Sequence, residues 1–160
     1  MSIDRGDSHF DDAGTWEKAC RHIGLYLAWA AERGLASDDH DAKDVAKSPT
    51  QHFIAMCDTK LWEDDFNEAG LAFTNAWYTS YLSEVSKYAK QRGVTDYEIP
   101  ENAVTKQHFY AFLDDKLADA REKPAASAAK KKKPEKKPAK KPAAKKPAKK
   151  PAAKKPAKKR

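Results

Sequence analysis

The sequence lacks the features that would organise a disulfide-stapled or membrane-spanning protein. It has two cysteines, Cys20 and Cys57. Their even number permits a disulfide, but we favour buried, inert and reduced thiols. The longest apolar stretch, residues 23–31, is too short to cross a bilayer, and the polar, acidic start has no secretory signal. These absences predict a cytoplasmic protein.

Motifs of known catalytic sites are also missing. The chain has no nucleophile elbow, phosphate-binding loop, zinc-ligand pair or metalloprotease motif, so we predict no catalytic residue, no metal ligand set, no cofactor and no enzyme activity. His9, Asp11, Asp12 and His22 come closest to acid–base chemistry, although local turn hydrogen bonding and one buried histidine explain them more simply. The histidines without partners at metal-ligand spacing are His40, His52 and His108.

Charge is divided very unevenly along the chain. Residues 124–160 hold 17 of the 31 basic side chains and one of the 24 acidic ones, a net charge of +16, whereas residues 1–123 have a net charge of −9. All aromatic residues lie in the first part, which is large enough to bury a core. We therefore predict two regions, an acidic globular domain over 1–123 and a basic tail over 124–160.

The tail lacks aromatic residues, and its prolines recur every four or five residues. Proline interrupts helices and alanine buries little surface, so we predict a disordered, extended arm. Lysine binds phosphate as a point charge, which predicts salt-sensitive binding of DNA or RNA without sequence preference. The predicted nucleic-acid-binding residues are Lys130, Lys131, Lys132, Lys133, Lys136, Lys137, Lys140, Lys141, Lys145, Lys146, Lys149, Lys150, Lys154, Lys155, Lys158, Lys159 and Arg160.

Other roles for the tail stay open: a solubilising extension, a membrane-surface segment, or an arm that folds back on the acidic domain. A membrane role is disfavoured because no lipidation site or apolar anchor accompanies the lysines. The repeated Pro-Ala-Lys-Lys pattern resembles the tails of linker histones and bacterial histone-like proteins. That resemblance implies association with the nucleoid.

The first 123 residues show helical periodicity and no convincing alternation of strands, which predicts an all-α, compact bundle of about four helices. Residues 1–13 are expected to be irregular, 36–47 is polar and weakly patterned, and 58–62 is expected to be a loop. The predicted helices are one capped by Thr15 and ended by Gly34, a short one from Pro49 to Cys57, a long one from about Glu63 to Arg92, and a last one from Thr105 to Arg121.

The densest acidic group is predicted to bind a protein partner. Its members are Asp58, Glu63, Asp64, Asp65 and Glu68. The alternatives are a charge cluster at a helix start on a solvated face and a divalent cation site, although the spacing does not match an EF-hand loop. The four tryptophans are expected to be mostly core, with one or two lining a groove for a partner.

Three ordered stretches resemble a family of small, uncharacterised bacterial domains. They are His9-Phe10-Asp11-Asp12-Ala13 with Trp16, His22 to Ala30 with Gly34-Leu35, and Cys57 to Leu61 followed by Asp64 to Phe73 and Trp77-Tyr78. The match covers most of 9–90; Thr59 stands where the family usually has Gly, and Ala69 replaces an acidic residue. The resemblance implies an immunity-like domain that neutralises a toxin, and the tail is no part of it.

These observations favour a non-enzymatic binding protein, in which a helical, immunity-like domain is tethered to nucleic acid by the tail. The alternative is a nucleoid-associated architectural or regulatory DNA-binding protein whose acidic domain modulates the tail. A metal-dependent enzyme using the acidic group is the third hypothesis.

Overall fold

The computed structural model describes residues 1–122, which form an all-α bundle with one small two-stranded sheet. The predicted tail, residues 124–160, lies outside the described residues. Two single-turn 3₁₀ segments, Gly6–Ser8 and Glu63–Asp65, adjoin the strands. The elements are β1 (Ser2–Arg5), α1 (Phe10–Ala13), α2 (Trp16–Glu32), α3 (Ala42–Lys47), α4 (Pro49–Met56), β2 (Lys60–Trp62), α5 (Glu68–Arg92) and α6 (Ala103–Glu122).

Helix α2 is the centre of the bundle. Thr15 caps it, accepting a hydrogen bond from the Lys18 amide, and Gly34 ends it at φ +66°, as the sequence predicts. From Ala19 to Ala31 every residue except Arg21 is buried, because neighbouring elements cover the helix on all sides. At Gly24 a Cβ would lie 2.7 Å from the Pro49 carbonyl oxygen, so only glycine allows α4 to pack this closely.

Buried hydroxyls and ion pairs join α2 to α5 and α6. Tyr81 donates a hydrogen bond of 2.7 Å to the His22 carbonyl. At the C-terminal end of α2, Arg33 binds both carboxylate oxygens of Asp114 at 2.8 and 2.6 Å, and Trp29 donates to the same carboxylate at 2.9 Å. The bonds of the buried Tyr81 and Trp29 side chains help to fix the register of the long helices, since bonded buried polar groups tolerate little displacement.

The small sheet corrects two predictions, because residues 1–13 are not irregular and 58–62 is not only a loop. Strands β1 and β2 pair antiparallel, with Asp4 opposite Leu61 and a bulge between Ser2 and Asp4. Each strand has at most four residues. A period-two pattern cannot emerge over such a length.

Two helix boundaries also differ from the predicted ones, and one helix was not predicted. The long helix begins at Glu68 with Asn67 as its cap, rather than at Glu63, and α6 begins at Ala103, ahead of Thr105. Residues 42–47 form α3, whose cap is the Asp41 carboxylate. Asx capping therefore organises a polar segment whose apolar pattern is weak. No helix within residues 1–122 combines the length and apolar character needed to cross a membrane.

Candidate functional site

The predicted acidic group divides between surface and interior. Asp58, Asp64 and Glu68 are exposed, and Glu63 pairs with the N-terminal amine at 3.2 Å. Asp65 points inward with a 15% exposed side chain, and its oxygens accept hydrogen bonds within the protein. The group is therefore not one continuous acidic surface, and Asp65 is the member least accessible to a partner.

An open cavity of about 350 Å³ lies where the start of α2, helix α4 and the turn before β2 meet. The half-exposed Trp16 ring forms part of its wall, together with Ile54 and Asp58. Asp7, Thr59 and Lys60 complete the lining. The expectation of core tryptophans holds for the buried Trp29 and for Trp77, which packs against the core, whereas Trp16 and Trp62 are 40% and 43% exposed.

A second group of polar side chains lies in the interior beside the turn that holds Glu63–Asp65. The Oδ1 atom of Asp65 lies 3.1 Å from Nε2 of His40 and 3.9 Å from the Cys57 sulfur. His40 and Cys57 are 7% and 5% exposed. One ligand atom from each residue lies within 4.8 Å of the other two, so the group could hold a metal ion.

Two further contacts orient this group from outside. His52 Nε2 lies 3.1 Å from His40 Nδ1, and the Trp62 amide donates to Oδ2 of Asp65 at 2.6 Å. Burial and the neighbouring His40 lower the pKa of His52, while burial and Asp65 raise the pKa of the Cys57 thiol. Cys57 is therefore a protonated thiol in the metal-free protein.

The turn after Cys57 has an unusual backbone. Asp58 and Thr59 have φ values of +48° and +61°, in the left-handed region that favours glycine. The Thr59 carbonyl accepts a 2.7 Å hydrogen bond from the Gly6 amide, and the Lys60 amide donates to the Cys57 carbonyl at 2.9 Å. The turn is thus held in a conformation that costs free energy beside a buried thiol.

A third group centres on Asp4 of β1. Its Oδ1 accepts from His9 Nε2 at 2.8 Å, and its Oδ2 accepts from the Tyr78 hydroxyl at 2.7 Å. His22 Nε2 lies 3.5 Å from Oδ2. Burial disfavours the ionised carboxylate, but hydrogen bonds from His22, His9 and Tyr78 hold the pKa of Asp4 well below its usual value. The hydrogen bond to Asp4 raises the pKa of His9.

This third group borders a cavity of about 120 Å³. His9 and His22 line it together with Tyr97, whose hydroxyl lies 3.2 Å from His9 Nδ1. The arrangement can hold and exchange a proton at His9. Sequence reasoning placed His9 beside Asp11 and Asp12, but both carboxylates are exposed and Asp4 is the observed partner. The expectation of one buried histidine here is confirmed by His22.

Sequence reasoning missed the partners of His40, His52 and His108. His40 lies between His52 and Asp65 and contacts both, and His108 Nε2 lies 3.0 Å from Glu84. No local spacing could indicate these pairs, because different elements supply their members. The expectation for the cysteines is confirmed, since both are free and buried. The predicted nucleic-acid-binding residues, Lys130 to Arg160, lie outside the described residues.

Comparison with known proteins agrees with the resemblance noted in the sequence. No curated protein and no solved structure matches the chain. A family model described as "Domain of unknown function (DUF7832)" matches residues 2–106, about two thirds of the sequence, and all three polar groups lie within the matched range. The chain therefore belongs to this uncharacterised domain family.

Proposed function

We propose that the chain is a non-enzymatic binding protein with two binding parts of opposite charge. Residues 1–123 dock a basic protein, and residues 124–160 bind DNA or RNA without reading sequence. The observation that carries the proposal is the charge division of −9 against +16. Charge of one sign concentrated in one region attracts partners of the opposite sign and speeds their encounter.

The cavity beside Trp16 supports docking in the globular domain. An exposed indole next to an aliphatic wall provides the kind of anchor that dominates protein interfaces, and Asp58 at its edge has a 96% exposed side chain. Trp62 and Met56 are also exposed. A partner segment with basic and apolar side chains fits this chemistry. A toxin neutralised by an immunity-like domain would be such a partner.

The composition of the tail supports nucleic-acid binding. Each phosphate that a lysine neutralises releases a counterion, so affinity depends steeply on salt. The tail has no aromatic residue for base stacking and almost no arginine for two-point contacts to bases. The tail would hold the protein on the nucleoid whatever the base sequence of the DNA.

The tail is tested by DNA-binding titrations of the full chain and of residues 1–123 over a salt series. We expect binding by the full chain alone, with a slope of log affinity against log salt that reaches about −0.9 for each phosphate contacted. A full-length variant whose tail residues are permuted keeps charge and length and should bind equally. Loss of binding in the permuted variant would contradict non-specific recognition, and binding by residues 1–123 would contradict the assignment to the tail.

The docking surface is tested by matched charge variants. Proteins captured by residues 1–123 are purified, and their affinities for Asp58→Asn and Trp16→Ala are compared with that for Asp119→Asn, which removes an exposed carboxylate on α6. The first two substitutions should lower the affinity for a true partner by about tenfold or more, and the third should change that affinity little. Equal effects would contradict docking at this cavity. A separate peptide of residues 124–160 tests the regulatory alternative. If this peptide binds residues 1–123 and added DNA displaces it, the alternative gains support.

A further inference from the structure

We propose that His40, Cys57 and Asp65 form a binding site for a divalent transition metal of the zinc class, built where the turn after α2, the end of α4 and the 3₁₀ turn 63–65 meet. The proposal depends on neither binding activity proposed above.

The three donor atoms are already arranged for one ion. Zinc bonds of about 2.0 to 2.3 Å to nitrogen, oxygen and sulfur place tetrahedral ligand atoms roughly 3.3 to 3.8 Å apart. Asp65 Oδ1 lies 3.1 Å from His40 Nε2 and 3.9 Å from the Cys57 sulfur. Small side-chain shifts would bring all three into range. Imidazole, thiolate and carboxylate together favour zinc or cobalt over magnesium or calcium, which take oxygen ligands.

Outer contacts fix two of the three ligands, as in known metal sites. If Nε2 of His40 binds the metal, its Nδ1 carries the proton and donates to His52 Nε2, 3.1 Å away. The Trp62 amide holds Oδ2 of Asp65 and leaves Oδ1 directed at the site. Cys57 would bind as thiolate and release its proton to solvent.

Ser37, which lies between the turns that carry His40 and Asp65, provides two further observations. The Ser37 amide donates to the Asp65 carbonyl at 2.9 Å, and the His40 amide donates to the Ser37 carbonyl at 3.1 Å, so two ligand-bearing turns are joined before any ion binds. Within residues 1–122, Ser37 Oγ is the buried side-chain polar atom left without a hydrogen-bond partner. Such an atom calls for a bound water or ion nearby. A metal-bound water is one such species.

Three protein ligands leave one coordination position for that water. The ion would tie the turn that carries Asp58 and Thr59 to the core. Both residues line the cavity of about 350 Å³, so metal binding would fix one wall of it.

The test is titration of untagged, full-length protein with Co²⁺, followed by displacement with Zn²⁺. We expect a thiolate-to-cobalt charge-transfer band at one equivalent and a rise in melting temperature with added Zn²⁺. Cys57→Ser should abolish the band, and Asp65→Asn should weaken binding strongly. His52→Gln should weaken it by roughly 10- to 100-fold, as expected for an outer contact.

Matched variants separate this site from its neighbours. Asp64→Asn removes the adjacent, exposed carboxylate, Cys20→Ala removes the other thiol, and His9→Gln disrupts the Asp4 group; all three should bind Co²⁺ within about twofold of the wild type, well short of the loss expected for an outer contact. If Cys57→Ser fails to fold, Asp65→Asn and its Asp64 control still decide. A wild-type protein without a charge-transfer band, or a band that survives Cys57→Ser and disappears in Cys20→Ala, would overturn the proposal.

Discussion

The Asp4 and Asp65 groups contain similar residues but differ in the hydrogen bonds that their carboxylates accept. Each has a largely buried carboxylate beside histidines. The Asp4 oxygens accept hydrogen bonds from His9, Tyr78 and the Arg5 amide, and the shifted pKa values of Asp4 and His9 favour an ion pair. At Asp65 one oxygen is held by an amide, and the other faces an imidazole and a thiol.

This difference shows that residue type alone does not define a metal site. A protonated histidine cannot ligate, and a carboxylate surrounded by hydrogen-bond donors has no lone pair to offer without breaking a buried bond. The Asp4 group therefore has a structural role, in which it joins β1 to α2 and α5. The Asp65 carboxylate also accepts hydrogen bonds, but those of Oδ1 can give way to a metal ion, because His40 can change tautomer and the Cys57 thiol can lose its proton.

The largest expected effect is that of Asp4→Asn. An amide cannot accept hydrogen bonds on both sides, so His9 or Tyr78 loses a buried, charge-assisted bond. We expect a loss of about 3 kcal/mol in the free energy of unfolding, measured by urea denaturation without metal.

Asp65→Asn is the comparison variant for that experiment. Its amide oxygen can still accept from the Trp62 amide while His40 adopts the other tautomer, so we expect a loss of about 1 kcal/mol. Added Zn²⁺ should increase the cost of Asp65→Asn and leave that of Asp4→Asn unchanged. If the two substitutions lower the free energy of unfolding equally, both without metal and with Zn²⁺, the distinction between the two groups is wrong.

The ion pair of Asp4 with His9 should contribute to stability over a defined pH range. Because the folded-state pKa of Asp4 is lowered, its contribution is present above the unfolded value of about 3.9 and is lost as pH falls below it. Because the folded-state pKa of His9 is raised, its contribution is complete below about 6.5 and is lost as pH rises through the folded-state value.

The stability difference between wild type and His9→Gln should therefore be largest between about pH 4 and 6.5 and should shrink on either side. Unfolding free energies at a series of pH values, with NMR titration of the histidine C–H signals, check both limbs. A difference that grows towards pH 8 would contradict the ion pair. His52→Gln is the comparison variant, because the pKa of His52 is lowered and the cost of this substitution should shrink, rather than grow, as pH falls below about 6.5.

Much of the fold could be predicted from the sequence, and little of the sites. Thr15, Gly34, Pro49 and Gly93 mark helix ends locally, and the structure confirms them. The β1–β2 pairing and the three polar groups depend on contacts between distant elements, such as Asp4 with Tyr78. A single sequence carries no periodic signal for such contacts. The inward turn of Asp65 also depends on a 3₁₀ segment that was predicted to be the start of a helix.

The smallest expected effect concerns the strained turn beside Cys57. Thr59 has φ +61°, a conformation that costs a β-branched residue roughly 1 to 2 kcal/mol, while glycine adds entropy to the unfolded chain. Thr59→Gly should therefore stabilise the protein by a net of about 0.5 kcal/mol, seen as a higher urea midpoint at an unchanged slope. Thr59→Ala keeps a Cβ at positive φ and should gain less. If the strained turn also orients Cys57, Thr59→Gly should bind Co²⁺ more weakly than the wild type although it is more stable, and the His9 titration should not change. A gain in both stability and Co²⁺ affinity would show that the backbone strain at Thr59 does not support metal binding.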